Sequence, residues 1–244
     1  MRVSMVSAHS SPFGDFDGGC QDVHVSELAA TLSGQGHDVT VYTRRADPDS
    51  APETHSSGCR VVHVPVGPPR WLPQGQLAAL MNEFGSALGE IWSAERPDVV
   101  HAHFWTSGLA SLLAVREPDL PVVQTFYGLG AVRRRYEGTG DTSPPGRPAM
   151  ERLVGRSVSR VAAGCSHEVH ELTRMGVPRS RLSVVPHGVD VDRFSPDGPP
   201  APKYLRHRLV AAGRMLARKG FDTAIGMLAL LPDTELVIAG GPGW

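Results

Sequence analysis

The chain has 244 residues, of which 41% are hydrophobic and 20% charged, and its formal net charge is -1 at pH 7. This is the composition of a globular protein with one large or two small domains, and so balanced a charge gives no general attraction for nucleic acid. No apolar run reaches the roughly 18 residues that a transmembrane helix needs. Cys20, Cys59 and Cys165 lie far apart, which is typical of reduced thiols, so we expect a cytoplasmic protein.

Seven short, valine-rich runs predict β-strands, at 2–8, 38–43, 60–66, 98–103, 121–126, 160–166 and 181–186. Most are continuously apolar, as in parallel strands that are buried on both faces. Helical patterns lie between them, at 77–95, 107–117 and 150–159, and in a first helix with Asp22 as its N-cap and Gly34 as its C′ residue. This alternation predicts an α/β domain with a Rossmann-like parallel sheet over residues 1–194.

The proline-rich stretch 195–204 begins a predicted linker over 195–207. The β-α-β pattern then resumes at 208–215, 220–231 and 234–241. One such unit cannot cover both faces of its own sheet. Residues 208–244 are therefore predicted to begin a second Rossmann-like domain that further sequence or a partner chain completes.

Two segments that follow strands carry candidate ligand-binding groups, because ligands of parallel sheets bind beyond the carboxyl ends of the strands. Gly18 and Gly19 precede the first helix, whose N-terminus could hold a phosphate; a tight turn with positive φ is the alternative. The segment "HAHFW" (101–105) places two histidines on one face of a strand. The further ligands of a metal site are missing from the pattern, so we predict no metal and a sugar-binding pocket instead, with plain packing as the alternative.

Three further segments lie outside the predicted elements. Residues 124–147 are predicted to form a long functional loop whose arginine run, 133–135, is solvated or meets an anionic acceptor or a membrane surface. Residues 184–190 are predicted to form a hinge turn. Gly213, Arg214 and Lys219 surround the start of a helix, and the two cations would clamp a diphosphate or else be surface charges.

Taken together, these segments resemble the GT-B-fold glycosyltransferases of family 4, which are retaining enzymes that use nucleotide-sugars. The resemblance spans most of the chain and rests on "GGCQDVHVSELAATLSGQGHDVTVYT", "RPDVVHAH", "QTFYGLG", "CSHEVHELTRMGVPRSRLSVVPHGVDVDRFSP" and "AAGRMLARKGFDTAIGMLALLPDTELVIAGG". The actinobacterial branch that glycosylates inositol phosphate in mycothiol synthesis and the sucrose-phosphate synthases are the most similar members.

The resemblance implies a set of roles. Tyr127 and His103 would be catalytic; Gly18, Gly19, Cys20, Arg214 and Lys219 would bind the donor diphosphate; His9, Asp22, Phe104 and Arg147 would bind the acceptor. The partners would be a nucleotide diphosphate sugar and a small-molecule, glycan or lipid acceptor, the last reached at the inner membrane face. No cofactor is expected, since the nucleotide-sugar is a substrate.

The chain departs from the family pattern at three places. Tyr127 stands where the family often has histidine, and a phenol with an ordinary pKa of about 10 is a poor base. Gln74 stands where the inositol-phosphate branch has lysine, and the family's Glu-x7-Glu motif would lie beyond Trp244. We therefore expect weak or no turnover by this chain alone. A catalytically dead acceptor-binding module is the alternative, whereas a dehydrogenase is disfavoured because no G-x-G-x-x-G follows the first strand.

Overall fold

The computed structural model describes residues 1–9 and 19–241. The strands are β1 Arg2–Val6, β2 Asp38–Arg44, β3 Glu53–Ser56, β4 Cys59–Val64, β5 Val99–His103, β6 Val122–Thr125, β7 Arg160–Ala163, β8 Leu182–Val184, β9 His207–Ala212 and β10 Thr234–Ala239. The α-helices are α1 Cys20–Gly34, α2 Gln74–Ala79, α3 Met81–Ala94, α4 Trp105–Ala114, α5 Gly130–Glu137, α6 Arg147–Ser157, α7 Ser166–Arg174 and α8 Phe221–Met227. The chain divides into two compact units. The first comprises 1–132 and 142–187, and the second comprises 133–141 and the residues from 188 onward.

The first unit is built on one eight-stranded sheet in the order β3-β4-β2-β1-β5-β6-β7-β8. Every neighbouring pair is parallel except β3 with β4, as the α/β prediction requires. Val3 of the central strand faces Val39 of β2 on one side and Val99 of β5 on the other. The strand order therefore reverses between β1 and β5, and in sheets of this kind the crevice at such a reversal is the usual ligand site.

Helices cover both faces of this sheet, which explains why its strands are continuously apolar. On one face, Val25 and Ala29 of α1 pack into a buried cluster with Met5 of β1. On the other face, a larger cluster joins α3 and α4 to the sheet, with Phe84 and Val100 wholly buried. Burying whole apolar side chains on both faces contributes about 1.5–3 kcal/mol for each large one.

Predictions about local structure were wrong at the segment 124–147 and at both ends of α1. Residues 124–147 are not one long loop, since they contain α5 and lead directly into α6. Alanine and arginine favour helix, and Arg133 is ion-paired there, with its Nε 2.7 Å from Glu137 and 3.3 Å from Asp141. At α1, the N-cap is Gly19 rather than Asp22, and Gly36, with φ +85°, takes the left-handed position expected of Gly34.

The second unit contains the parallel pair β9 and β10 with α8 between them in the chain. Gly213 has φ +148° at the end of β9, and a Cβ on Gly240 would lie 1.9 Å from the Gly213 carbonyl oxygen. The two strand ends therefore approach so closely that only glycine fits. Apolar side chains of this unit such as Val210, Ile225 and Leu230 are exposed, as expected where a single βαβ unit leaves its sheet uncovered.

Over the described ranges, no helix is both long enough and apolar enough to cross a membrane.

Candidate functional site

Two residues with unusual backbone conformations lie at the carboxyl ends of neighbouring strands. Phe104 follows β5 with φ 74° and ψ 157°, and Tyr127 follows β6 with φ 61°. The Phe104 N–H donates a hydrogen bond of 2.8 Å to the Thr125 carbonyl, which ties the two segments together. Bulky side chains at positive φ cost about 1–3 kcal/mol each and persist where the surroundings fix them, most often at functional sites.

Tyr127 lies at the centre of a cluster of histidines. Its hydroxyl oxygen is 2.6 Å from His24 Nδ1 and 2.8 Å from His103 Nδ1. The His187 ring is nearly parallel to the Tyr127 ring, at 5.6 Å between centroids, and meets the His24 ring edge-on at 4.2 Å. His24 from α1 and His187 from the segment after β8 were missed, because only the fold brings these distant positions to Tyr127.

Burial keeps His24, His103 and Tyr127 uncharged near neutral pH. Desolvation lowers the pKa of His24 to about 4, and the proximity of His187 adds to the effect. The pKa of His103 is far below its usual value, again because of burial first and the neighbouring imidazoles second. Burial raises the pKa of Tyr127, and the nearby Cys20 and Asp22 act in the same direction. The site therefore offers neutral hydrogen-bonding groups, which suit a ligand rich in hydroxyls.

One ring nitrogen of His103 has no hydrogen-bond partner among the described residues. Its Nδ1 contacts Tyr127, but its Nε2 is buried and has no hydrogen-bond partner in the described ranges. The adjacent His101 is occupied, since its Nε2 lies 2.9 Å from Thr125 Oγ1. Among the described residues, no group of three or more histidine, cysteine, aspartate or glutamate side chains is arranged to hold a metal ion. A buried polar atom costs about 1–3 kcal/mol when unpaired, which makes His103 Nε2 a candidate contact for a polar group of a ligand.

His9 and Phe104 meet at the reversal point between β1 and β5. Their rings are 6.2 Å apart, and the Ala8 N–H donates to Ser107 Oγ at 3.0 Å, which holds the end of β1 against α4. His9 Nδ1 is buried without a partner among the described residues, and burial, with Arg44 nearby, lowers the pKa of His9. Asp22 is buried in the first turn of α1. The predicted acceptor-binding roles of these residues stay predictions.

Arg147 is buried beneath the turn that follows Tyr127. Its Nε donates to the Glu151 carboxylate at 2.6 Å and its Nη2 to the Gly128 carbonyl at 2.8 Å. The guanidinium lies 5.0 Å from the centroid of the Phe104 ring. Glu151 in turn accepts the Gly130 N–H at 2.8 Å. Arg147 therefore holds residues 128–130 and Phe104 in place. Its predicted contact with the acceptor stays a prediction.

The predicted diphosphate-binding residues lie partly in each unit. Gly18 lies outside the described residues, whereas Gly19 caps α1 with φ -61°, and Cys20 is the exposed first residue of that helix. In the second unit, Lys219 packs against Gly213, with its Cε 3.7 Å from where a Gly213 Cβ would be, and Arg214 is exposed.

The sheet, its reversal point and the second βαβ unit define an α/β protein of the GT-B class, as predicted. The profile of the family described as "Glycosyl transferase 4-like domain" matches residues 19–188. The chain belongs to this family.

Curated relatives agree with this placement. The chain is 35% identical over 262 residues to a D-inositol 3-phosphate glycosyltransferase of Xylanimonas cellulosilytica, with 98% of this chain and 63% of the relative covered. It is 31% identical over 256 residues to the protein of that name in Mycolicibacterium vanbaalenii, with 99% and 57% covered. The chain thus spans about 60% of the length of these relatives.

Solved structures show the same fold. A sucrose-phosphate synthase of Thermosynechococcus elongatus superposes with a TM-score of 0.81 at 22% identity, covering 97% of this chain and 61% of that one. The HepE protein of Anabaena, solved in complex with UDP and glucose, gives a TM-score of 0.65 at 14% identity, covering 99% and 61%.

Proposed function

We propose that this chain supplies the acceptor-binding domain and the beginning of the donor-binding domain of a glycosyltransferase. The reaction moves a hexosyl group from a nucleotide diphosphate sugar to a hydroxyl of an acceptor, with the retention that the family resemblance implies. The observation that carries the proposal is the buried Nε2 of His103, which has no hydrogen-bond partner among the described residues. It lies beside Tyr127 at the carboxyl edge of the sheet, in a chain that belongs to the glycosyl transferase 4-like family.

On the acceptor side, His103 hydrogen-bonds the reacting hydroxyl or its neighbour, and Phe104 and His9 line the pocket. Arg147 supports this pocket through Phe104 and the Gly128 carbonyl. Tyr127 acts as a hydrogen-bonding group rather than as a base, because burial raises its pKa above the ordinary phenol value. Neutral, oriented groups of this kind position a nucleophile and exclude water without carrying charge.

On the donor side, the diphosphate leaving group develops negative charge as the sugar departs. Gly18, Gly19 and Cys20 precede or begin α1, so backbone N–H groups at that helix N-terminus favour an anion. By the family resemblance, Arg214 and Lys219 would neutralise the diphosphate and help it leave. Fixed donors and charges aimed at developing charge are worth about 2.7–4 kcal/mol for each group in comparable sites.

The acceptor is proposed to be a neutral polyol or sugar rather than a phosphate ester. Of the two positions considered for an acceptor phosphate, Gln74 carries no charge and Arg147 is already paired with Glu151 in a buried ion pair. Breaking such a pair to bind a phosphate would leave a buried carboxylate uncompensated. The relatives are named for inositol 3-phosphate, so this chain would differ from them in its acceptor.

The test is a transfer assay on a fusion of this chain to the part of the Xylanimonas relative that lies beyond the match. UDP-, GDP- and ADP-sugars are combined with inositol, glucose and their phosphate esters, and release of nucleoside diphosphate is measured. We expect release that depends on a neutral acceptor, and little or none from the 244-residue chain alone. If the relative is active but the fusion shows no acceptor-dependent release, the transferase proposal fails and a catalytically dead binding module is supported. Equal turnover by the chain and the fusion would refute the expected weakness of the chain.

A further inference from the structure

The Tyr127 hydroxyl joins two imidazoles but has only one proton to give. It lies within hydrogen-bond distance of Nδ1 of both His24 and His103. A neutral imidazole carries its proton on one nitrogen and accepts at the other. The hydroxyl can therefore donate to one of these Nδ1 atoms and must accept an N–H from the other. It follows that His24 and His103 hold opposite tautomers.

The two distances indicate which way the hydroxyl points. With an oxygen acceptor, an O–H donor makes shorter bonds than an N–H donor, by about 0.2 Å on average. The contact of Tyr127 with His24 is 2.6 Å and that with His103 is 2.8 Å. The shorter contact favours the O–H donor, so we take Tyr127 to donate to His24, which leaves His103 to donate from Nδ1–H to the Tyr127 oxygen. In that arrangement the buried Nε2 of His103 carries no proton, so its lone pair can accept a hydrogen bond.

We propose that His24 is a positioning residue of the acceptor site, which acts through the Tyr127 hydroxyl to keep His103 in the tautomer whose Nε2 accepts a hydrogen bond. The matching ligand group is a hydroxyl that donates to His103 Nε2, which orients its oxygen as the nucleophile. In this way α1 provides the imidazole that the family resemblance would place at position 127. The assignment of the ligand hydroxyl rests on the proposed function, whereas the tautomer assignment does not.

The surroundings hold His24 in place for this role. It is followed in α1 by Val25, which is fully buried against the sheet and anchors this part of the helix. The His187 ring packs edge-on against His24 and parallel to Tyr127. The low pKa of His24 keeps it neutral near pH 7, so it remains able to accept at Nδ1.

The decisive experiment is ¹⁵N NMR of the 244-residue chain labelled at histidine, with signals assigned by single histidine-to-glutamine variants. At pH 7 we expect His103 as the Nδ1–H tautomer and His24 as the Nε2–H tautomer. In His24→Phe the hydroxyl loses its acceptor and turns to His103 Nδ1, so His103 should switch to Nε2–H. His170→Phe, on the exposed side of α7, is the matched control and should change neither tautomer. A His103 that is Nε2–H in the unaltered chain, or stays Nδ1–H in His24→Phe, overturns the proposal.

A reciprocal exchange in the fusion provides a second readout. His24→Tyr and Tyr127→His should each lower transfer by roughly tenfold, the loss expected from one misdirected hydrogen bond, and the double variant should recover most of it because a phenol and an imidazole face each other again. A double variant no better than the worse single one counts against the paired role. If the fusion transfers no sugar at all, the proposed function fails while the tautomer measurement still decides this inference.

Discussion

The Arg147 guanidinium lies 2.6 Å from the Glu151 carboxylate, and both side chains are withdrawn from solvent, with exposed fractions of 4% and 0%. Arg147→Met would leave that carboxylate buried without its cation, and removing one partner of such a pair costs about 3–5 kcal/mol. We expect this loss in the free energy of unfolding, measured by urea denaturation. Arg147→Met combined with Glu151→Gln should recover most of it, because the amide oxygen still accepts the Gly130 N–H.

The surface pair of Arg96 and Glu117 is the control for this measurement. Its atoms are also 2.6 Å apart, but the side chains are 46% and 60% exposed. Arg96→Met should change the free energy of unfolding by less than about 1 kcal/mol. Equal losses for the buried and the exposed pair would mean that Arg147 does not act through its ion pair.

Close packing between α3 and α4 depends on Gly85. A Cβ there would lie 2.8 Å from the Ala110 carbonyl oxygen and 2.9 Å from Leu113 Cβ, so Gly85→Ala must push the helices apart. We expect a loss of about 1–3 kcal/mol in the free energy of unfolding. Gly34→Ala in α1 meets nothing within 4 Å and should leave stability unchanged or raise it by about 0.5 kcal/mol. A destabilising Gly34→Ala together with a neutral Gly85→Ala would contradict this reading of the helix contact.

Cys20 offers a direct test of the diphosphate site, because it begins α1 and its thiol is exposed. In the fusion, UDP, GDP or ADP bound at that helix N-terminus should slow the reaction of Cys20 with iodoacetamide. Cys165 is also free and exposed, but it lies at the start of α7 and should react at the same rate with and without nucleotide. Mass spectrometry of the labelled peptides measures both rates, and equal protection of the two cysteines would indicate a global effect rather than binding at α1.

The buried histidines should make the fold sensitive to acid. Their pKa values are lowered in the folded chain, to about 4 for His24 and for His101. The unfolded chain therefore takes up protons first as the pH falls below about 6.5, and stability is lost progressively down to about pH 4. Replacing one of them, as in His101→Gln, should flatten the dependence of the unfolding free energy on pH by up to about 1.4 kcal/mol per pH unit in this window.

Two buried carboxyls act in the opposite direction. Burial raises the pKa of Glu151 and of Glu168, so the folded chain holds protons there more readily than the unfolded one and gains stability as the pH falls. The stability that the unaltered chain loses in acid is therefore the loss caused by the buried histidines minus the gain from these two carboxyls. For this reason, the decisive comparison is between variants, and a His101→Gln chain with the unaltered slope would contradict the role of burial.

The sheet could be predicted from the sequence because its strands are buried on both faces and therefore read as continuous apolar runs. β3 and α7 were missed because neither contains a continuous apolar run. β3 is a short edge strand, Glu53–Ser56, without an apolar run, and α7, Ser166–Arg174, shows mostly polar residues with only Val169 and Leu172 buried among its apolar ones. The single predicted helix 77–95 is two helices that meet at Leu80, which no glycine or proline announces.

Only some residues of the candidate site could be predicted from the sequence. His103 ends β5 and Tyr127 follows β6, and the ends of these strands can be predicted from where their apolar runs stop. Their partners cannot, since the distance from Tyr127 to His24 or to His187 is set by how the helices and strands are arranged in space. The ion pair of Arg147 with Glu151 could not be predicted either. In the sequence, the two residues have the i, i+4 spacing of an ordinary surface pair, and only the structure shows that both are buried.

The central position of β1 has a consequence for the order in which the chain can fold during synthesis. Its first partner, β2, follows soon after it, but its other edge waits for Val99 and the rest of β5. At about 5–20 residues per second, β1 emerges several seconds before that partner. During this interval an apolar strand that will end in the middle of the sheet has one open edge, where a neighbouring nascent chain could pair. Efficient production of this domain should therefore depend more on how fast residues 45–99 are translated than on the speed of any later segment.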